Sequence, residues 1–183
     1  MKKKPCIVLG VAGSIAAYKA VDLVRSFTAE DWNVRVIMTA AAMNFVGELT
    51  FRSLSRNPVG TDMFPDGNSE WKSEHISFAE SADVLVIAPC TAATIARLAH
   101  GFADDLLGCT VLACEAPVIL APAMNEKMWN NPATRANVKT LRSRGIRIIE
   151  VEEGDLACGV KGRGRLAAPD RIVAAVRDCL ATG

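Results

Sequence analysis

The chain has 183 residues, of which 50% are hydrophobic and 22% are charged, and its formal net charge at pH 7 is +1. That composition is typical of globular proteins and the length fits one domain, so we treat residues 1–183 as a single unit. The small net charge gives no electrostatic case for binding nucleic acid or an acidic membrane, and no apolar run is long enough to span a bilayer, so we expect a soluble, cytoplasmic protein.

Apolar strand-like runs alternate with helical patterns along the whole chain. In the first half we predict, in order, a strand at Cys6–Val11, a helix at Ser14–Ala29, a strand at Asn33–Met38, a helix at Ala40–Ser55 and an irregular connection at Asn57–Ser73. In the second half we predict strands at Asp83–Ala88, Val118–Ala121 and Ile146–Val151, and helices at Thr91–His100, Asp104–Cys114, Pro132–Arg144 and Pro169–Leu180. This alternation predicts an α/β fold with a doubly wound, mostly parallel, Rossmann-like sheet that has helices on both faces.

The six cysteines and two histidines of the chain show no metal-ligand spacing. No two cysteines are spaced as CxxC, and two histidines are too few for the common zinc motifs. We therefore predict no metal site.

The turn after the first strand reads Gly10-Val-Ala-Gly13-Ser14 and leads into the first helix. Glycines let backbone amides approach an anion, and the amino end of a helix stabilises that anion. The spacing is neither GxGxxG nor the GK[ST] of a nucleoside-triphosphate loop, so the turn favours one phosphate, as in a mononucleotide such as FMN. The alternative is a tight turn in which Ser14 only caps the helix.

Two further segments follow buried strands, at the sheet edge where open α/β folds bind ligands. Ala88–Thr94 offers small residues and two threonine hydroxyls to the polar edge of a flat ring, or is simply the capped start of a helix. In Pro122–Trp129, Asn125 carries both a donor and an acceptor for a carboxylate or amide, and Met128 and Trp129 would form an apolar lid. The alternative for this segment is an Asx cap followed by two core side chains.

Two residues are candidates for proton transfer. His75 follows the long connection and is suited to moving protons near neutral pH, although a lone histidine is often structural. Cys158 lies in the glycine-rich segment Gly154–Arg165, which we interpret as a mobile flap. Basic side chains there would lower the pKa of the Cys158 thiol and attract an anionic ligand, namely Lys161, Arg163 and Arg165. The alternative is a solvated basic loop with an incidental cysteine.

The segments described above, taken together in their order along the chain, resemble the homo-oligomeric flavin-containing cysteine decarboxylases. The resemblance extends over nearly the whole chain. Within that family they are similar to the phosphopantothenoylcysteine decarboxylases of coenzyme A biosynthesis, including the decarboxylase half of the bacterial bifunctional enzyme. Pro122–Trp129 fits the family pattern PxMNxxMW, residues 157–159 read Ala-Cys-Gly, and His75 stands where the family carries its active-site histidine. The family motif PASANT is matched loosely by Pro89–Thr94, in which Ala93 replaces the asparagine, so we assign no role to that position.

The resemblance implies FMN as the cofactor, with its phosphate near Gly13, Ser14 and Thr39 and its ring near residues 89–94 and Ala123. The residues that it implies for cofactor binding are Gly13, Ser14, Ile15, Thr39, Pro89, Thr91, Ala92, Thr94 and Ala123. Those that it implies for substrate binding are Asn125, Met128, Ala157 and Lys161, with Asn125 on the substrate carboxylate. The implied catalytic residues are His75, Asn125 and Cys158.

The resemblance also implies a reaction and an assembly. A single flavin-binding decarboxylase domain would convert 4'-phosphopantothenoylcysteine into 4'-phosphopantetheine through a thioaldehyde and an enethiol, because a C=S group accepts the electrons of the departing carboxylate. His75 would assist the oxidation, and Cys158 would protonate the enethiol carbon. The family forms homo-oligomers, either trimers or dodecamers, with flavin sites at subunit interfaces.

Three alternatives share the fold. A peptidyl-cysteine decarboxylase of lantibiotic type would stop at the enethiol and would not need Cys158, which argues against it. A flavin prenyltransferase is disfavoured by the PAMNEKMW match and by His75. A non-catalytic regulatory binding protein of this flavin fold usually carries long acidic extensions, which this sequence does not show.

Overall fold

A six-stranded parallel sheet forms the centre of the computed structural model, which describes residues 4–64, 73–155, 159 and 161–182. The strands lie in the order β3-β2-β1-β4-β5-β6. They are β1 (Cys6–Val11), β2 (Asn33–Met38), β3 (Val59–Gly60), β4 (Val84–Cys90), β5 (Val118–Pro122) and β6 (Arg147–Ile148). A separate antiparallel hairpin consists of β7 (Glu152–Asp155) and β8 (Lys161–Arg165).

Helices connect the parallel strands and cover both faces of the sheet. They are α1 (Ala17–Ala29), α2 (Glu48–Ser55), α3 (Glu74–Ser81), α4 (Ala92–His100), α5 (Leu106–Ala113), α6 (Glu126–Asn130), α7 (Pro132–Ser143) and α8 (Pro169–Thr182). The prediction of an α/β fold with a doubly wound parallel sheet is confirmed. Within the described residues, no helix combines the length and apolar character needed to cross a bilayer.

Alternate side chains of the strands enter two separate cores. In β1, Ile7 and Leu9 belong to the core that includes α1, α2 and α8, whereas Val8 belongs to the core that includes α3, α4, α5 and α7. Strands that are buried on both faces read as continuous apolar runs, which is why the sequence located β1, β2, β4 and β5 within two residues. Complete burial of one such aliphatic side chain stabilises the fold by about 1.5–3 kcal/mol.

Two helix predictions in the first half of the chain are wrong in their extent. Helix α1 begins at Ala17 rather than Ser14, because the Ser14 hydroxyl accepts the amide of Ala16 over 3.2 Å in a preceding turn. The helix predicted at Ala40–Ser55 is divided into a short 3-10 turn and α2. The division lies at Gly47, whose extended backbone (φ −72°, ψ 143°) precedes the first turn of α2.

Several short elements were not predicted. Strand β3 has only two residues, which is too few for a periodic pattern, and it lies inside the predicted irregular connection. The strand predicted at Ile146–Val151 pairs with β5 over two residues only, after which the chain turns into β7. The glycine-rich segment Gly154–Arg165, interpreted as a mobile flap, contains β8 and the last two residues of β7, which pair with each other. Residues 156–158 and 160 lie outside the described part of the chain.

Candidate functional site

The sheet order places a topological switch point at the carboxyl ends of β1 and β4. The chain leaves β1 toward β2 on one side, while β4, the neighbour of β1 on the other side, continues toward β5. The loops after these strands therefore diverge and leave a crevice, which is where open α/β sheets bind ligands. Two adjoining cavities occupy this crevice.

Main-chain hydrogen bonds extend the parallel ladder beyond the strands and hold the loops side by side. The amide of Ala12 donates to the carbonyl of Pro89 over 3.2 Å, and the amide of Ala123 donates to the carbonyl of Cys90 over 3.0 Å. The loop after β2 is attached in the same way, since Thr39 donates to the last carbonyl of β1 over 3.0 Å. The loops after β1, β2, β4 and β5 are therefore held at fixed positions relative to one another.

The first cavity has a volume of about 610 Å³, which is within the range of small-molecule and cofactor sites. Hydroxyl groups line it at four positions, Ser14, Thr39, Thr91 and Thr94. Alanines line it at five others, Ala40, Ala41, Ala92, Ala93 and Ala123. The small apolar side chains leave space for a flat ring, and the hydroxyls supply hydrogen-bonding groups around it.

The first turn of α4 lines this cavity, so the positive end of the helix dipole lies at the site. Thr91 is the N-cap of α4: its Oγ1 accepts the amide of Thr94 over 3.2 Å and lies 3.0 Å from the Thr94 hydroxyl. The predicted capped helix start is therefore present. It does not exclude a ligand role, because a helix amino end also suits an anion or a carbonyl oxygen.

An ion pair lies at one side of the first cavity. Arg97 Nη1 is 2.8 Å from Asp104 Oδ1 and 3.4 Å from Asp105 Oδ2. Asp105 also caps α5, where its Oδ1 accepts the amide of Gly108 over 2.7 Å. Because the pair is partly exposed it adds little stability, but it fixes the direction of the guanidinium group.

The second cavity has a volume of about 550 Å³ and shares Ser14, Ala123 and Met124 with the first. Its other walls come from the beginning of α1 and from the β7–β8 hairpin. Among the described residues, the charged side chains that line it are Lys19, Asp155 and Arg165. Two cations against one acid in this set favour an anionic ligand.

Asn125 lines the second cavity and is the N-cap of α6. Its Oδ1 accepts the amide of Lys127 over 2.9 Å. The Asx cap predicted as an alternative is thus present, and it holds the amide side chain in one orientation at the cavity wall. A side chain that is preorganised in this way is suited to binding a ligand.

His75 lies in the first turn of α3 and is not among the described residues that line either cavity. Helix α3 is held by Arg35 of β2, whose Nη1 donates to the Ser77 carbonyl over 2.8 Å and to the Ser81 hydroxyl over 2.7 Å. Burial raises the pKa of the neighbouring Glu74 carboxyl, against the opposing effect of Arg35. The histidine therefore lies on a helix that Arg35 attaches to the sheet.

Cys90, which precedes the cap of α4, is a core side chain. Burial raises the pKa of its thiol, so it stays neutral and is no nucleophile. Among the residues that the structure describes, no three His, Cys, Asp or Glu side chains are grouped as metal ligands.

The structure brings most of the predicted site residues together. Those in the first cavity are Gly13, Ser14, Thr39, Thr91, Ala92, Thr94, Ala123 and Met128, and those in the second are Ser14, Ile15, Ala123 and Asn125. Pro89, buried in β4, and Lys161, exposed at the start of β8, are not among the described lining residues. Ala157 and Cys158 lie outside the described residues.

The predicted apolar lid is wrong for one of its two members. Trp129 is 1% exposed and belongs to the core, where the Arg135 guanidinium lies 5.3 Å from its ring centre. Met128 is 49% exposed and lines the first cavity. The spacing explains the difference, because adjacent helical residues point in different directions.

Sequence reasoning missed several lining residues. Arg97 had a usable signal, because Thr91, Thr94 and Arg97 follow at three-residue intervals and share one face of α4. The sequence signal for Lys19 was weaker: it lies four residues after the predicted site residue Ile15, a spacing that places two residues on the same side of a helix. The alanines of the loop after β2 carry no polar group and gave no signal.

These features define the class of protein: an α/β domain with a mononucleotide-sized crevice at the switch point of a parallel sheet. Residues 1–181 match the protein family described as Flavoprotein. The chain therefore belongs to the flavoprotein family.

A relative among curated proteins is the coenzyme A biosynthesis bifunctional protein CoaBC of Bacillus subtilis (strain 168). It is 47% identical over 167 residues, which are 91% of this chain and 41% of the relative. The chain thus spans about two fifths of the length of the curated relatives that it matches first.

Two solved structures match over the whole fold. A PPC decarboxylase variant with a cysteine-to-serine substitution, complexed with pantothenoylaminoethenethiol, has a TM-score of 0.85 at 36% identity, covering 96% of this chain and 97% of that chain. The FMN-dependent cysteine decarboxylase SpaF has a TM-score of 0.83 at 32% identity, covering 97% and 96%. The predicted resemblance to the flavin-containing cysteine decarboxylases is confirmed.

The contact between the loops after β1 and β2 gives a test of the first cavity. A methyl group at Gly13 would lie 2.4 Å from Ala41 Cβ and 2.9 Å from the Ala41 carbonyl carbon, so the loop itself would have to shift. We expect Gly13→Ala to destabilise the protein by about 1–3 kcal/mol, as overpacking does, and to lower the flavin content. Thermal denaturation and the visible spectrum of the purified protein measure both effects.

The matched control is Gly47→Ala. A methyl group there meets nothing within 4 Å, and the backbone has an ordinary φ of −72°. Equal stability and equal flavin content in the two variants would show that the contact at Gly13 does not shape the cavity.

Proposed function

We propose that this chain is an FMN-dependent decarboxylase that converts 4'-phosphopantothenoylcysteine into 4'-phosphopantetheine in the cytoplasm. The observation that carries the proposal is the position of the loop after β5. Ala123 and Met124 line both cavities, and Asn125 lines the second. A cofactor in the first cavity and a substrate in the second would therefore meet at this loop.

The comparisons support the proposal from two sides. The curated relatives are bifunctional coenzyme A biosynthesis proteins, and the neighbour at 36% identity is a PPC decarboxylase. The other neighbour is FMN-dependent, which agrees with the flavoprotein family of this chain and supports FMN as the cofactor.

The donor set of the first cavity fits FMN. We assign the phosphate to Gly13, Ser14 and Thr39, where a backbone turn and two hydroxyls converge. The flavin ring is assigned to the alanine-lined wall beside the first turn of α4, with Thr91, Ala92, Thr94 and Ala123 around it. Two residues would contribute less directly to cofactor binding. Ile15 lines the second cavity, and the Pro89 carbonyl accepts a hydrogen bond from the loop after β1.

Bound FMN supplies a two-electron acceptor for the substrate thiol and returns the electrons at the end, so the net change is loss of carbon dioxide. The carboxylate leaves because the C=S group formed on the substrate accepts its electron pair. Asn125 binds and orients that carboxylate in the second cavity, and Met128 and Lys161 contribute to substrate binding. Lys19 and Arg165 match the negative charge of the substrate phosphate.

Two proton transfers complete the reaction. His75 takes up a proton during oxidation of the substrate thiol. Cys158, beside Ala157 in a segment outside the described residues, donates a proton to the enethiol carbon. The PPC decarboxylase neighbour supports this role, because its complex pairs a cysteine-to-serine substitution with an enethiol.

The location of His75 favours a site shared between subunits. The histidine is not among the described residues that line the cavities, so we propose that it serves the site of a second copy within a homo-oligomer, a trimer or a dodecamer. Exposed large apolar side chains that follow the lining residues Ala40 and Ala41 in the sequence agree with an interface. They are Met43, Phe45 and Leu49, which are 42%, 48% and 64% exposed.

The wild-type protein tests the proposed function. We expect denaturation to release FMN, and the loaded protein to release carbon dioxide from 4'-phosphopantothenoylcysteine and form 4'-phosphopantetheine, followed by mass spectrometry. An enethiol as the final product would favour the lantibiotic-type alternative. Bound FMN with no turnover of any cysteine substrate would favour the regulatory binding protein.

Asn125→Asp separates the two roles of this side chain. Aspartate caps helices as well as asparagine does, so the bond to the Lys127 amide and the thermal stability should be kept. The amide donor is lost, and the new charge repels the substrate carboxylate, so kcat/KM should fall about 100-fold or more while FMN content stays normal. Unchanged kcat/KM would remove Asn125 from carboxylate binding.

Co-expression of His75→Asn with Asn125→Asp tests the shared site. Each variant alone should be nearly inactive. In randomly mixed oligomers about a quarter of the sites would combine an intact His75 of one copy with an intact Asn125 of another, so about a quarter of wild-type activity should return. An inactive mixture would place both residues in the site of one chain.

A further inference from the structure

Strand β8 lies directly on the loop that carries Asn125. The Met124 amide donates to the Gly164 carbonyl over 3.0 Å, and the Arg163 amide donates to Glu126 Oε1 over 3.2 Å. Among the described residues, these bonds attach the strand to the loop through one main-chain pair and one side chain. A substitution at Glu126 removes the side-chain bond.

Glycines at alternate positions allow this close approach. Gly162 and Gly164 are buried, whereas Lys161 and Arg163 are exposed, as expected for opposite faces of a strand. A methyl group at Gly164 would lie 2.0 Å from the carbonyl oxygen of the loop, and one at Gly162 would lie 2.6 Å from Glu126 Oε2. The Glu126 carboxylate therefore occupies the space that a side chain at position 162 would need.

The attached strand forms one wall of the second cavity. Gly164, Arg165 and the following Leu166 line that cavity from the side of β8, and the loop after β5 lines it through Asn125. The separation of these two walls depends on how closely β8 lies on the loop. A change in that docking alters the shape of the cavity without removing any residue that lines it, because Glu126 is not in the lining.

We propose that Glu126 is a positioning residue for the decarboxylation. Its carboxylate holds β8 on the loop and so sets the width of the second cavity at Asn125. The inference rests on the proposed function, since it takes this cavity as the substrate cavity. Glu126 itself touches β8 and makes no contact with substrate.

Three single variants test the hydrogen bond. Glu126→Ala removes the acceptor, and KM should rise about fivefold, the equivalent of one net hydrogen bond, with kcat per bound FMN unchanged. Glu126→Gln keeps an acceptor oxygen and should leave KM close to wild type. Lys127→Ala, an exposed neighbour on the same helix, is the control and should behave as wild type.

A double-mutant cycle tests the steric fit. Gly162→Ala places a methyl group against the Glu126 carboxylate and should raise KM about tenfold or more. In Gly162→Ala with Glu126→Ala the carboxylate is gone and only the Cβ at position 126 remains, 3.3 Å from the new methyl group, so KM should fall most of the way back to that of Glu126→Ala alone. Additive effects would show that the methyl group meets something else, and would overturn the proposal. So would a Glu126→Ala variant that melts earlier but keeps the wild-type KM.

Hydrogen exchange at the Arg163 amide reports on the docking without any turnover. Exchange should be faster in Glu126→Ala than in Lys127→Ala, because only the first variant loses the acceptor. Equal exchange would overturn the proposal. If the wild-type protein does not decarboxylate, the proposed function fails, and the exchange rates still decide whether Glu126 holds β8.

Discussion

The alignment of four parallel strands at their carboxyl ends is the constraint on which the rest of the structure depends. In one row across the sheet, the paired residues are Ile37, Gly10, Ile87 and Leu120. Because the strands end near the same level, the amides just beyond them reach carbonyls of the neighbouring strands. Those bonds fix the relative heights of the loops that form both cavities. The sheet core therefore determines the site, although hardly any site residue belongs to it.

The sequence predicted the long strands, because burial on both faces requires apolar residues. It missed the short elements, whose positions are set by tertiary pairing and leave no pattern in the composition. A strand buried on both faces must be apolar throughout, so β1, β2, β4 and β5 were recognisable. A two-residue strand such as β3 has no period to detect, and its position depends on pairing with β2. The five-residue helix α6 follows an N-cap at Asn125 that was considered only as an alternative to a ligand role. In the structure the cap and the cavity wall coincide, and one side chain serves both.

At the glycines of β8, the structure shows a role that the composition alone does not reveal. A run with glycine at every second position indicates flexibility when it is read as a sequence. In β8, the same spacing lets the main chain lie on a loop where a methyl group would clash with Met124 or Glu126. Gly13 is comparable, since a side chain there would meet Ala41 of the neighbouring loop. Glycine needed for close approach and glycine needed for mobility look alike until the contacting chain segment is known.

The fold also explains why the two halves of the candidate site are separated. A parallel α/β sheet gathers its loops at one edge, which places Asn125 at the second cavity next to Ala123 and Met124, which line both, but it places its helices on the faces. His75 lies on such a helix, and Arg35 holds that helix to the sheet with its guanidinium 4.0 Å from the Phe78 ring centre. Because that helix is anchored, the packing of the helix layer sets the position of His75, and the loops that form the crevice do not. Under the proposed function, a His75 that serves the site of a second copy would make catalysis depend on assembly, because each chain would then supply the binding groups and Cys158 but not the histidine.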